Sequence, residues 1–271
     1  MTTKIVLKST DRVNTSTSAN ECEFNIDWGS ILDEGKYRVK YSICKTIKQP
    51  PTFNQLLVNK PPWARYDVTG FNVGTQILFD LTGNGRNATC VSCAVSTQIS
   101  VSNGSGALIT SVTGSAGSSS IQFPVGSIPS GNFTICGITR YRGAVATQKR
   151  VLVSDQGAYF GHNSAGRGTF NYGGQQLSNI VTTSPVQNYL PFCVSSGVAP
   201  PNNVLCDSVS NGLTISAITP FTSRLGINTN GLTNASGFEL SQLFIWDQAL
   251  TYVEMLVMSE KFRQFLASGT L

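Results

Sequence analysis

Charged residues are scarce in this sequence, at 12% of 271 residues, which is about half the usual share. There is no run of about 18 apolar residues and no apolar leader after the first Met, so we expect no membrane span and no secretion signal. We therefore expect a protein that is made and kept in the cytosol. A net charge of +5 lacks the basic density of nucleic-acid-binding proteins, so no nucleic-acid partner is expected either.

The seven cysteines form no complete metal-binding pattern. An odd count without a secretion signal predicts free, mostly buried thiols. Cys90-Val-Ser-Cys93 has the spacing of zinc ligands, but a second pair is missing and the single histidine, His162, lies far away in sequence. Ordinary strand cysteines are therefore the favoured interpretation, and no bound metal is expected at this pair.

The distribution of charge predicts two regions. The first 65 residues hold 16 of the 33 charged residues, whereas none occurs between Arg86 and Arg140 or between Arg167 and Asp207. We place the boundary at the Pro61-Pro62-Trp63 turn. This gives a small N-terminal β region over 1–62, which we expect to anchor or dock the protein, and a larger domain over 63–271.

The N-terminal region has two strands with clear alternation of apolar and polar residues. A segment of about sixty residues with three or four strands buries too little to be stable alone, so it needs a neighbour. Two interpretations stay open, an edge of the larger domain or an arm that docks on a partner. The expected partner-docking residues are Phe24, Ile26, Trp28, Tyr37, Val39 and Tyr41.

The larger region is a series of short β segments separated by Gly and Pro, which predicts an antiparallel sandwich. The predicted strands are 75–80, 94–101, 107–112, 119–123, 132–141, 150–154, 158–162, 169–172, 204–208, 214–217, 223–227 and 238–247.

The last 35 residues predict a strand followed by a helix. Phe238, Leu240, Phe244 and Trp246 share one parity and are expected on one face of the strand. Thr251 and Glu254 have the spacing of a capping box at the helix start. An apolar stripe and a helix-stopping glycine follow, namely Met255, Met258, Phe262, Phe265, Leu266 and Gly269.

Several pieces of residues 64–271, in order along the chain, resemble concanavalin A-like (laminin-G-like) jelly-roll domains. The most specific is Phe-Asp-Leu-Thr-Gly-Asn-Gly-Arg-Asn-Ala at 79–88, which is similar to an early turn of that family. The other pieces are 64–67, 121–124, 132–141, 160–162, 225–228 and 243–255. The resemblance implies an all-β, concanavalin A-like antiparallel β-sandwich with one C-terminal helix, preceded here by the small N-terminal β region.

The N-terminus resembles the start of virion proteins from large DNA viruses and polinton-like viruses. The resemblance depends on Leu-Lys-Ser-Thr-Asp-Arg at 7–12, Glu-Phe-Asn-Ile at 23–26 and Gly-Lys-Tyr-Arg-Val at 35–39. It implies a virion protein that is assembled in the cytoplasm of the host cell.

Catalytic patterns are absent from the sequence. Glycosidases of the resembled superfamily use paired carboxylates on a strand, and no Glu-x-Asp-x-x-Glu run occurs. Gly83-Asn-Gly85 is not followed by the Gly-Lys-Ser/Thr of a phosphate loop, and His162 is expected to be structural. We therefore expect the protein not to be an enzyme. A hydrolase interpretation would depend on Glu239 or Asp155.

Ligand binding remains open. No cofactor is expected. Asp80 and Asn84 could contribute to a calcium site, but the sequence has no second acidic cluster to complete it. Capping of backbone groups is the expected role of Asp80 and Asp247. Sugar binding is the usual association of the resembled fold. Its expected residues are Arg142, Tyr159, Asn163, Arg167, Asn171 and Tyr172, with the alternative that Tyr159 and Tyr172 are packed strand aromatics.

Two functions follow from these observations. The first is a non-enzymatic viral structural protein, a minor capsid, spike or fibre-head component, docked through residues 1–62 and displaying a lectin-like jelly roll. Its partners would be other virion subunits, further copies of itself in a homo-oligomer and a host glycan. The alternative is a carbohydrate-binding, lectin-like module of a cellular or secreted protein.

Overall fold

A computed structural model describes residues 20–21, 45–46, 49–98, 103–144, 148–172, 175–177, 185–196, 203–210, 222–229 and 235–271. The chain divides into two compact units, Met1–Pro50 and Pro51–Leu271. In the first unit, Asn20–Glu21 (β1) pairs antiparallel with Lys45–Thr46 (β2). The expected docking residues lie outside the described residues: Phe24, Ile26, Trp28, Tyr37, Val39 and Tyr41. The predicted boundary at residue 62 stays a prediction.

The second unit is built almost entirely of strands. In chain order its elements are α1 (Phe53–Asn59), β3 (Ala64–Asp67), a 3-10 turn (Val68–Gly70), β4 (Phe71–Asn72), β5 (Ile77–Leu78), β6 (Ala88–Val91), β7 (Ala94–Gln98), β8 (Ile109–Gly114), β9 (Ser120–Ile128), β10 (Thr134–Tyr141), β11 (Leu152–Ser154), β12 (Tyr159–Asn163), β13 (Gly166–Tyr172), β14 (Gln175–Leu177), β15 (Leu190–Ser195), β16 (Val204–Cys206), β17 (Val209–Ser210), β18 (Ser223–Ile227), β19 (Phe238–Trp246) and α2 (Tyr252–Ser268).

The described strands of the second unit form two antiparallel sheets. Within the described residues, the central sheet has eight strands in the order β17-β16-β15-β10-β19-β8-β7, with β3 also paired to β19. The outer sheet has nine strands, in the order β14-β13-β12-β11-β18-β9-β6-β5-β4. This is the predicted all-β antiparallel sandwich with a C-terminal helix, and that prediction is confirmed.

Two apolar cores separate three layers. The first core lies between the sheets and takes residues from both, such as Phe170 of the outer sheet and Phe192 of the central sheet, whose rings meet edge to face at 5.8 Å. The second core lies between the central sheet and the two helices, where Phe244 packs against Phe53 and Phe262. The central sheet is therefore buried on both faces, which explains why every residue of β19 is buried.

The faces of β19 correct one sequence prediction. Phe238 and Leu240 belong to the core between the sheets, whereas Phe244 and Trp246 lie in the core under the helices. The pairing with β10 shifts register, so that Ser241 is an extra residue. A β-bulge of this kind reverses the alternation beyond it. The expectation of one shared face is therefore wrong.

Helix α2 agrees with its prediction in detail. Thr251 and Glu254 form the capping box, and Gly269 ends the helix with a φ of 78°, a left-handed conformation that glycine adopts without steric cost. The predicted stripe is buried against the central sheet. Helix α1 has no strong apolar period and is not expected from the sequence, although Thr52 and Gln55 give it a capping box too.

Two of the cysteines in the described part of the chain form a disulfide. Cys136 and Cys193 are cross-strand neighbours on β10 and β15, with 4.0 Å between their Cα atoms and a bond joining their sulfurs. The prediction of free thiols is wrong for this pair, because the register of two strands 57 residues apart decides which sulfurs meet. Three other cysteines are free and buried, as expected, namely Cys90, Cys93 and Cys206. Cys22 and Cys44 lie outside the described residues.

Most predicted strands are present near their predicted positions, whereas β4, β6, β14, β15 and β17 lie outside the predicted segments. The predicted strand at 214–217 falls outside the described residues. No helix in the described part of the chain is long and apolar enough to cross a bilayer.

Candidate functional site around Trp63

Asp80 organises the turn between β5 and β6. Its carboxylate accepts hydrogen bonds from the backbone N–H groups of Arg65 (3.1 Å), Thr82 (3.0 Å) and Arg86 (3.4 Å) and from the Thr82 hydroxyl (2.7 Å). Asp80 is buried, so these donors would otherwise lack a partner. The residue thus caps backbone groups, as its sequence position predicts. Both of its oxygens are occupied by protein donors, so the turn does not fit a calcium ion, which needs free carboxylate oxygens.

Trp63 lies against this turn. The guanidinium of Arg86 lies over the indole, 4.3 Å from the ring centroid, and donates a hydrogen bond to the Trp63 carbonyl. The Asn84 side-chain amide donates to the same carbonyl at 3.4 Å. Trp63 is half-buried and packs on the core between the sheets. The turn therefore fixes both the backbone and the ring of Trp63, and part of the ring stays accessible.

An open groove of about 530 Å³ runs beside Trp63, and we call it the Trp63 groove. It collects residues from the end of α1, the 80–87 turn and the segment after β19. The lining residues that carry its chemistry are Trp63, Arg65, Asn84, Arg86, Asp247 and Gln248. Asp247 and Asn84 are exposed. The groove thus combines one aromatic surface with cationic and amide donors and a carboxylate acceptor.

Five of the six predicted ligand residues lie on strands β12 and β13 of the outer sheet, where they do not form an open site. Tyr159 and Asn171 are cross-strand neighbours on β12 and β13, and Asn163 ends β12. The Arg150 guanidinium covers Tyr159 at 4.7 Å from the ring centroid, and Tyr159 is buried. Burial raises the pKa of Tyr159, and the nearby Arg150 charge partly offsets this. Arg142 lies apart, exposed, with its Nη1 donating to the Thr113 hydroxyl at 2.6 Å.

Arg167 and Tyr172 are also buried. Arg167 donates to both carboxylate oxygens of Asp207 and to the Tyr189 carbonyl at 2.5 Å. Tyr172 packs in the core against Phe133, with ring centroids 5.1 Å apart. The six residues are therefore not brought together, and their role as ligand contacts stays a prediction.

His162 is completely buried between the sheets. Its Nδ1 lies 3.3 Å from the Thr139 hydroxyl, and its ring meets Tyr141 edge to face. Burial, together with the Arg167 charge, lowers the pKa of His162 to about 3, so the imidazole is neutral at physiological pH.

A hydrogen bond between Cys90 and Cys93 raises the pKa of Cys90 and lowers that of Cys93. No group of three or more His, Cys, Asp or Glu side chains suited to a metal occurs among the described residues.

The Trp63 groove is not anticipated as a site by the sequence reasoning. Its residues come from segments as far apart as Leu57 and Gln248, and only the folded chain brings them together. The available signals are a tryptophan directly after Pro61-Pro62 and the Asn-Gly-Arg turn at 84–86.

No protein-family model matches the sequence, and no curated protein matches it. Solved structures do match the fold. A sialidase from Trypanosoma rangeli, solved with the inhibitor DANA, aligns with 72% of this chain at 10% identity and a TM-score of 0.50. This chain spans about a third of that sialidase, 32% of its length. Domain 4 of AbnA, a GH43 extracellular arabinanase from Geobacillus stearothermophilus solved with arabinotriose, aligns with 72% of this chain and 97% of its own at 14% identity and a TM-score of 0.51.

These likenesses establish the β-sandwich fold, and they correct one expectation. The absence of paired carboxylates predicts that the chain is not an enzyme. Both matched structures come from enzymes, a sialidase and an arabinanase, which contradicts that prediction as drawn. A fold that is built into glycan-processing enzymes cannot be used to assign a purely structural role.

Proposed function

We propose that the chain is a carbohydrate-binding, lectin-like β-sandwich module, and that it binds glycans in the Trp63 groove. The observation that carries the proposal is the half-buried Trp63 ring, held by Arg86 beside the exposed side chains of Asn84 and Asp247 in a groove of about 530 Å³. A groove of this size accommodates one or a few sugar rings.

The groove matches the chemistry of a sugar. A pyranose or furanose ring presents C–H groups, which suit the part of the indole that Arg86 leaves accessible, and a rim of hydroxyls that both donate and accept hydrogen bonds. The Asp247 carboxylate would accept from hydroxyls, while Asn84 and the Arg65 and Arg86 guanidinium groups would donate to them. Trp63 is already fixed in the free protein, so little side-chain entropy is lost on binding.

A comparison supports the same class of ligand. The arabinanase domain that shares the fold was solved with arabinotriose, a neutral oligosaccharide. It aligns over nearly its whole length, 97%, so the supporting likeness is to a complete domain. Short neutral oligosaccharides are therefore the first ligands to test.

Screening on a glycan array, followed by calorimetric titration of the hits, tests the proposal. We expect binding in the micromolar to millimolar range, weakened about five- to tenfold in Asn84→Ala and Asp247→Ala, because each loses a direct hydrogen bond worth about 1–1.5 kcal/mol. Both side chains are exposed, so these variants keep the fold.

Phe79→Ala is the matched control, since Phe79 is an exposed aromatic residue that does not line the groove. It should bind like the wild type. Absence of any glycan hit, or hits whose affinity is the same in all three variants, would exclude the Trp63 groove as the binding site. Analysis of the glycan after incubation with the protein shows whether it has been cleaved.

We further propose the finer role of a virion surface component, in which the N-terminal unit docks on capsid subunits and the sandwich displays the lectin-like site as copies in a homo-oligomer. Support comes from the N-terminal resemblance to virion proteins and from the division of the chain at residue 50. Mass spectrometry of purified virions tests this role: the chain should be present in stoichiometric amounts, and its absence from virions would leave the module of a cellular protein as the better assignment.

A further inference from the structure

A second pocket lies on the central sheet, away from the Trp63 groove. It has a volume of about 320 Å³ and is lined by Arg140, Tyr141, Gly143, Ala144 and Gln187, and we call it the Arg140 pocket. None of these residues lines the Trp63 groove. Gln187 is exposed, and its side-chain amide donates to the Gly143 carbonyl at 3.2 Å, which joins the two sides of the pocket.

Buried residues fix the position of the Arg140 side chain. Its Nε forms an ion pair with the fully buried Glu239 at 3.1 Å, and its guanidinium stacks on the Tyr189 ring at 5.2 Å from the centroid. The Tyr189 hydroxyl donates to the same Glu239 oxygen at 2.7 Å and shares a 2.9 Å hydrogen bond with Ser111. Arg140 therefore sits on a completely buried polar network that fixes its position.

The two terminal nitrogens of the Arg140 guanidinium are available to a ligand. Within the described residues, the contacts of Arg140 are the ion pair through Nε and the stacking on Tyr189, so its two terminal nitrogens have no protein partner. The side chain is 14% exposed and lines the pocket. An arginine that is immobilised by a buried carboxylate yet presents an unpaired fork of N–H groups is arranged to receive an oxyanion in two parallel hydrogen bonds.

The charge around the pocket favours an anion. Glu239 lies behind the guanidinium and has no exposed surface, so the charge that the pocket presents is that of Arg140. Gln187 can donate a further neutral hydrogen bond. A carboxylate fits the planar fork through two parallel hydrogen bonds.

We propose that the Arg140 pocket binds the carboxylate of an acidic sugar. The proposal deepens the glycan-binding function and rests on it: an acidic residue of the glycan occupies the Arg140 pocket, whereas neutral residues occupy the Trp63 groove. The ligand class is a uronic-acid-type sugar at neutral pH.

Two-dimensional NMR titration of the full chain tests this directly, read at the Gly143 amide and the Gln187 side-chain amide. Glucuronic acid should give saturable shifts at pH 7, whereas glucose and glucuronamide, which lack the carboxylate, should not. Arg140→Lys keeps the charge next to Glu239 but loses the fork, and should weaken the affinity at least about tenfold. Arg150→Lys, which changes an arginine that also stacks on a tyrosine but lies outside the pocket, is the matched control and should bind as the wild type.

The remaining outcomes each decide the proposal. If Arg140→Lys does not fold, the exposed Gln187→Ala variant carries the test, and it too should bind more weakly than the wild type. Equal binding of acetate and glucuronic acid would overturn the assignment to a sugar, and tighter binding of inorganic sulfate would overturn the assignment to a carboxylate. If glucuronic acid causes no chemical-shift changes, or if the changes are the same in Arg140→Lys and Gln187→Ala as in the wild type, the Arg140 pocket is not the binding site. If the protein binds glucuronic acid but no neutral glycan, the proposal for the Trp63 groove is contradicted and the proposal for the Arg140 pocket is supported.

Discussion

The guanidinium of Arg86 lies 4.3 Å from the centroid of the Trp63 ring and is bonded to the carbonyl of the same residue. One side chain therefore fixes both the plane and the backbone of the aromatic residue that it covers. Arg86 is itself placed by Asp80, which accepts its backbone N–H at 3.4 Å. The geometry of the Trp63 groove thus depends on one buried carboxylate in the turn beside it.

Removal of the Asp80 carboxylate should destabilise the fold. In Asp80→Ala, several backbone donors lose their acceptor inside a buried turn, and we expect a loss of about 2–4 kcal/mol in the free energy of unfolding, at roughly 1–3 kcal/mol for each unsatisfied group that water does not reach. Equilibrium urea denaturation measures the change. Asp247→Asn, an exposed carboxylate in the same groove, is the control and should change stability by less than about 0.5 kcal/mol. Equal stability of the two variants would show that the Asp80 cap contributes little.

The buried network behind Arg140 makes a second prediction. Tyr189→Phe removes the hydroxyl that links Glu239 and Ser111, and it should lower stability by about 1–2 kcal/mol, because two buried partners each lose a hydrogen bond. Tyr252→Phe is a suitable control, since Tyr252 is a partly exposed residue whose hydroxyl makes no hydrogen bond within the described residues. A wild-type urea midpoint for Tyr189→Phe would mean that the network is energetically unimportant.

Stability should fall at acidic pH through His162. Its pKa is lowered to about 3 in the folded protein by burial and by Arg167, from an ordinary value of 6.5 in the unfolded chain. Between these values the unfolded state binds one more proton than the folded state, so the contribution is fully present above pH 6.5 and is lost as the pH falls towards 3. The expected slope is about 1.4 kcal/mol per pH unit below the unfolded pKa.

The comparison variant for this effect is His162→Gln, which cannot titrate. Urea denaturation at several pH values between 4 and 7.5 should show a shallower decline for the variant than for the wild type, and the difference isolates His162 from the carboxylates. Parallel declines would contradict the account of a buried neutral imidazole.

The disulfide gives the fourth prediction. Cys136 and Cys193 close a loop with a sequence separation of 57, so replacing both by Ala should cost about 2–4 kcal/mol, chiefly by releasing the unfolded chain. Cys206→Ala controls for the loss of a buried thiol and should cost less. Non-reducing peptide mapping should recover the Cys136–Cys193 cross-link, and its absence in protein prepared without reductant would contradict the pairing.

The sequence predicts what depends on neighbours along the chain. Helix α2 is predicted from cap to stop because Thr251, Glu254 and Gly269 act within one or two turns. The two-face burial of β19 is not predicted, because the Ser241 bulge arises from pairing with β10, about a hundred residues away. The sandwich itself follows from many short alternating segments, each of which is a local signal.

The candidate site escapes prediction for the same reason. The sequence predicts Arg167 to be a loop residue that contacts a ligand. In the structure it is buried and pairs with Asp207, 40 residues later. Trp63 and Asp247 become neighbours only when β19 pairs with β3, and no local pattern encodes that pairing. Contacts between side chains that strand pairing brings together, and that no regular spacing along the chain marks, cannot be predicted from a single sequence.

The most direct test of glycan binding in the Trp63 groove uses the indole N–H signals of the protein in ¹H–¹⁵N spectra. The chain has three tryptophans, and Trp246 is an internal control because its indole N–H is bonded to the Lys60 carbonyl at 2.8 Å in a fully buried site. On addition of an array-selected oligosaccharide, the Trp63 indole signal should shift and saturate with the same Kd as calorimetry gives, while the Trp246 signal stays in place. A Trp63 signal that does not move while calorimetry reports binding would contradict the account.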